Sequence, residues 1–146
     1  MQAHGNIITN LTLHNNRDGV LIQRTPSPVA TSNNNRIIAN RVTASTGVGI
    51  HVNGNGNLVE GNSVLDGAGN AIGIAGATSG TSIPVQNNTV SRNTVTNNAL
   101  QFTGAAAIVV VHAINTNLTA NVVVGVGTNP GIFVGAPPAT PAPGPR

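Results

Sequence analysis

The chain has 146 residues, six of them Arg, none Lys and three acidic, for a formal net charge of +3; this fits a single domain and leaves no dense basic patch for a nucleic acid. There is no Cys, so disulfides and thiolate metal sites are excluded, and no apolar run approaches the ~18 residues of a membrane span. Asn is the commonest residue (22) and Gly follows with 18, while the 39% of hydrophobic residues is almost all Val, Ile, Leu and Ala, a mixture that suits short strands and turns and disfavours helix.

The opening Met1-Gln-Ala-His-Gly5 lacks the charged and apolar regions of a signal peptide. The first predicted coil places Ile7, Asn10 and Thr12 at spacings of three and two, followed by the apolar pair Val20 and Ile22. The second repeats the phrase as Ile37, Asn40 and Val42, then Ile50 and Val52; the third as Val59, Asn62 and Val64, then Ile72 and Ile74. The fourth reads Val90, Asn93 and Val95, then Ile108 and Val110, and the fifth Leu118, Asn121 and Val123, then Ile132 and Val134. The anchoring Asn residues lie 30, 22, 31 and 28 apart, so 22 is the bare unit and the longer intervals carry insertions. Apolar pairs at period two between turn residues predict strands with one buried face. A unit of this size cannot close a core alone, and stacked units can. The predicted fold is therefore all-β, a parallel β-helix of five coils over residues 1–134, with Asn10, Asn40, Asn62, Asn93 and Asn121 in one column of mutually bonded amides. Residues 135–146, with five Pro in twelve, form a separate extended tail.

These phrases, together with Gly49-Ile-His-Val52 and Gly131-Ile-Phe-Val134, resemble the repeats of right-handed parallel β-helix proteins of the pectin-lyase-like superfamily. The resemblance covers about residues 6 to 134. It implies the fold and leaves the activity open, since that superfamily holds lyases, polygalacturonases, epimerases, phage tailspikes and non-catalytic surface proteins.

The chemistry those enzymes need is not legible here. The acids are Asp18, Glu60 and Asp66, and no two share a column of the repeat. Paired carboxylates acting on a glycosidic bond must face one another within ~10 Å, and Glu60 and Asp66 fall on opposite sides of the Asn62 bend. No calcium cage is recognisable. His14 shares a column with Asp66 at a distance of two coils, His51 should point outward, and His4 and His112 have no acidic neighbour in their columns. The expectation is no catalytic residue, no metal and no cofactor. The triplets beginning at Asn10, Asn87 and Asn117 match the glycosylation acceptor, but two of them are part of the repeat. Insertions at residues 23–32 and 75–86 predict two loops flanking the 53–56 turn, a gap without an aromatic platform; Phe102 belongs to the fourth coil and Phe133 to the last.

The ends carry the functional expectation. Coil patterns begin and finish close to the ends of the sequence, so the expected assembly residues are Ile7, Val20 and Ile22 at one end and Leu118, Val123, Ile132 and Val134 at the other. The reading is a non-catalytic structural solenoid that assembles with itself into an oligomer or filament, secreted or at the cell surface. The alternative is a segment of a β-helix that binds, degrades or epimerises polysaccharide.

Overall fold

The computed structural model describes residues 4–23, 32–76, 83–99 and 101–135. Among them are 17 strands of two to four residues and no helix. Each coil lays one strand on each of three sides, so every side is a five-stranded sheet, and all pairings are parallel. The first side stacks Ile7–Thr9, Arg36–Ile38, Leu58–Glu60, Thr89–Ser91 and Asn117–Thr119. The second stacks Thr12–His14, Arg41–Thr43, Ser63–Leu65, Thr94–Thr96 and Val122–Val124. The third stacks Val20–Ile22, Ile50–Val52, Ile72–Ala75, Ile108–Val111 and Ile132–Val134. A two-stranded pairing, Val85–Gln86 with Ala113–Ile114, leads into the first side in the last two coils.

The first and second sides each turn one residue inward per coil and the third turns two. Ile37, Val42, Ile50 and Val52 of the second coil are all fully buried, and Val59, Val64, Ile72 and Ile74 repeat them one layer on. A core this narrow has no room for rings, and both Phe residues are exposed. Entry to the third side is narrower still. A Cβ on Gly49 would lie 2.6 Å from the Val64 side chain and 2.6 Å from the Ala71 carbonyl, so Gly49 has no room for a side chain, and the next two coils carry only the methyls of Ala71 and Ala107 at this point.

The corners explain the Asn and Gly content. Five stacked residues turn the corner before the first side in the left-handed conformation: Gly5, Asn34, Gly56, Asn87 and Asn115, with φ between 52° and 65°. After the first side come Asn10, Ala39, Gly61, Arg92 and Ala120, and after the second Asn15, Ala44, Asp66, Asn97 and Gly125. Each of these residues in the first four coils donates its N–H to a carbonyl of the next coil, as Ala39 does to Glu60 at 3.1 Å and Asp66 to Thr96 at 3.0 Å. Left-handed backbone is open to Gly and tolerable for Asn, which is why these two residues punctuate the repeat.

The register of the first coil differs by one residue from the sequence expectation. Ile8, not Ile7, pairs with Ile37, and Leu13, not Thr12, pairs with Val42. Asn10 consequently occupies the left-handed corner beside Ala39, with φ 57°, and Leu11 takes the column position of Asn40. A slip of one residue exchanges the faces of a strand. This register alone points Ile8 and Leu13 inward together, and leaves Ile7 outside at 61% exposure. The expected loops fall largely on residues 24–31 and 77–82 and the Pro-rich tail on 136–146, outside the described residues.

Ala44 sits at φ 54° and pays the steric penalty of an L-residue there. Ala44→Gly should stabilise the chain by about 0.5 kcal/mol, the relief being partly offset by glycine's freer unfolded state. Gly61→Ala, at φ 62° with open space around the added methyl, should cost about 1 kcal/mol through the backbone alone. Chemical denaturation of both variants checks the pair; equal signs would be inconsistent with left-handed corners.

Candidate functional site

Immediately after the left-handed residue at many of the corners the chain places an Asn whose side chain binds the coils together. In the column just past the first side, Asn62 Oδ1 accepts the backbone N–H of Asn40 at 2.9 Å and its Nδ2–H at 3.0 Å. Asn93 Oδ1 does the same for Asn62, and Asn121 Oδ1 for Asn93. The second Nδ2 hydrogen turns back to the preceding coil's strand, from Asn62 to the Ile37 carbonyl at 2.9 Å and from Asn93 to that of Val59 at 3.0 Å. Asn40, Asn62 and Asn93 thus each join three coils. These three amides are almost wholly buried, which their full set of partners makes tolerable, whereas Asn121 in the last coil is half-buried and bonds only to the coil before it. Asn40, Asn62, Asn93 and Asn121 form this column, and Asn10 lies outside it.

A second column, unrecognised in the sequence, precedes the first side: Asn6, Asn35, Asn57 and Asn88. Asn57 Oδ1 takes the N–H and Nδ2–H of Asn35 at 2.8 and 3.0 Å, and Asn88 Oδ1 takes those of Asn57. Its spacings of 22 and 31 are those of the first column, and they were the available signal. The third corner has a shorter version, in which Asn98 accepts from Gly67 N–H and donates to the Val64 and Thr96 carbonyls.

The three acids brace the coils. Asp18 Oδ1 accepts the Val48 N–H at 3.0 Å, a role that Asn70 repeats for Ala106 at 2.8 Å. Glu60 is paired with Arg92 of the next coil, and Asp66 accepts from Asn97 Nδ2 at 3.2 Å. His14 Nδ1 meets the Thr43 hydroxyl at 2.8 Å. Burial holds His51 below the usual imidazole range, with the nearby Asp18 carboxylate partly opposing it. Among the described residues no group of three His, Cys, Asp or Glu side chains converges as metal ligands would.

The two ends are unlike. At the far end the inward columns are bare: Val134 is 64% exposed, whereas Val110, one coil before it in the same column, is 4% exposed. Ile132 is exposed in the same way, and Leu118 and Val123 are half-buried. At the near end Val20 and Ile22 are only 6% and 5% exposed, so the third side is already covered there, contrary to the expectation of an open surface. Ile7 is exposed on the outer face and is not part of an inward column. Among the described residues the near end is therefore open along the first and second sides, at Asn6, Ile8, Leu11 and Leu13.

The family model of the right-handed β-helix region matches residues 1–136. The chain belongs to the right-handed β-helix family. No curated protein and no solved structure matches it. No helix among the described residues of this β-helix is long and apolar enough to cross a membrane. Where its second side passes into the third, Phe102 and Thr103 stand beside Gly47, Gly69 and Asn70 around an open cleft of about 310 Å³. The fourth coil's extra residues thus bring an exposed ring to a concave surface, which spacing alone did not reveal.

Asn62→Ala removes the acceptor for both Asn40 donors and leaves Asn93 Oδ1 and the Ile37 carbonyl each short of a donor. It should cost about 3 kcal/mol or more. Asn55→Ala breaks one contact at the exposed corner, to Gln86 N–H, and should cost about 1 kcal/mol. Urea unfolding of the two variants distinguishes a cooperative amide column from surface decoration.

Proposed function

We propose that this β-helix is a non-catalytic structural element that associates end to end with further copies of itself, in a secreted or cell-surface setting. The observation that carries this reading is the bare last coil. Residues of the inward columns that are sealed in every internal layer, as Val110 is at 4%, face solvent at Val134. An exposed row of strand edges and apolar side chains is a template for another strand layer, and the residues from Ala113 to Gly135 include no ionisable side chain to repel one. The non-catalytic part of the reading is supported by the use of all three acids in holding coils together. A contact between unlike ends does not close on itself and so extends along the axis.

Sedimentation velocity over a concentration series, with electron microscopy of the same samples, tests this. The expected result is a mass that rises with concentration and particles that lengthen along the coil axis. Val134→Asp should suppress both while leaving unfolding little changed, since the side chain is exposed in the single chain. A chain that stays monomeric at high concentration with both end coils ordered would refute the proposal.

The polysaccharide reading is favoured by one observation, the exposed Phe102 at the rim of the cleft with Asn70 beside it. An apolar ring next to polar groups can stack on a sugar face. If this reading holds, neutral and uronic oligosaccharides should bind in calorimetric titration, and Phe102→Ala should weaken binding at least tenfold. Binding unaffected by Phe102→Ala would remove the cleft from consideration.

A further inference from the structure

We propose that Leu11 limits growth of this β-helix along its axis by withholding the acceptor for which Asn121 holds donors ready. The inference rests on the end-to-end reading above and fixes its register, with the first coil of a second copy laid on the fifth coil of the first. The amide columns are directional. At each internal step the Oδ1 of the later coil takes the N–H and one Nδ2–H of the earlier coil, ending with Asn121 Oδ1 receiving Asn93 at 3.1 and 2.9 Å. Asn121 returns one Nδ2 hydrogen to the Val90 carbonyl at 2.8 Å. Its own N–H and the other Nδ2 hydrogen are therefore directed to where a sixth coil would place an Oδ1.

In the first coil that place belongs to Leu11. Its backbone N–H is satisfied by Asn40 Oδ1 at 3.0 Å, and its exposed hydrocarbon side chain offers no acceptor. A copy docked in register would cover two donors of Asn121 with a leucine and leave them unpaired, which is costly.

The other column meets the reverse situation. It ends in the fifth coil at Thr116, whose Oγ1 is buried without a hydrogen-bond partner among the described residues. It begins in the first coil at Asn6, whose Nδ2 is engaged by Asn35 Oδ1 at 3.0 Å and the His4 carbonyl at 3.4 Å. In the same docking Asn6 Oδ1 would come to Thr116 as Asn88 Oδ1 comes to Asn57, whose N–H it takes at 2.9 Å. It would accept the hydroxyl and N–H of Thr116, so one corner of the junction closes and the other is held open by a single side chain. Ends that resist addition in this way protect exposed strand edges from uncontrolled pairing.

The test compares wild type, Leu11→Asn, Leu11→Ala and Thr116→Val by sedimentation velocity at matched concentrations, with unfolding measured on each. Leu11→Asn supplies the acceptor and should raise the association constant about tenfold or more, for two recovered hydrogen bonds. Leu11→Ala, which removes the leucine without adding an amide, should not show this gain. Thr116→Val removes a hydroxyl unpartnered in the single chain, and should weaken association severalfold without loss of stability. Association by wild type that Leu11→Asn does not strengthen would overturn the register and leave the end-to-end reading standing. Assembly by Leu11→Asn alone would uphold Leu11 as the stop while overturning native assembly. Monomers throughout would overturn both.

Discussion

Three times per coil the chain turns on a left-handed residue, and the side chain just beyond that turn decides whether the next layer can be laid. The turn takes one N–H out of the regular strand ladder. An asparagine amide in the next coil accepts the N–H of its counterpart just past the turn, and the same amide donates onward and backward. The strands between the corners are only two to four residues long and would not hold register by themselves. Corner geometry and amide bridging together set where each strand lies, and the apolar columns then fill a core whose width is already fixed.

The periodicity was legible because both of its parts are short-range and repeated: an aliphatic residue, an Asn and a Val at fixed offsets, then a second apolar pair. The pair registers of all five coils on the third side agree with that pattern. The first coil misled because Ile7 and Ile8 are both aliphatic and Asn10 mimics a column residue. Tracking a second Asn would have corrected it, because Asn6 and Asn35 are 29 apart and Asn10 and Asn40 are 30 apart. A corner Asn and a column Asn differ in backbone conformation and not in composition, so one repeat of one motif could not separate them. The burial of Val20 and Ile22 in the first coil, and the meeting of Phe102 with Gly47 and Gly69, are features of single coils, on which a periodic pattern is silent.

Acidic side chains are few, and all three serve to join adjacent coils. Asp18 and Asn70 serve equivalent backbone amides in different coils, so a carboxylate here substitutes for a carboxamide. Glu60 and Arg92 join successive layers on the outer face. With the three acids committed to adjacent-coil bonds, the broad sides of the β-helix carry the exposed Arg36 and Arg41 and are otherwise covered chiefly by Thr, Ser, Asn and scattered aliphatic residues.

The second coil has consequences for how such a chain can change in length. It reaches the third in 22 residues and contains every corner, both amide columns and all four inward side chains. It depends on its neighbours only through contacts that any other layer could also provide. Copying that segment in frame would insert one layer of about 4.8 Å and leave the flanking layers with the partners they already recognise. The molecule is in this sense a ruler graduated in single coils, whose length can be reset by tandem duplication without redesign of its core.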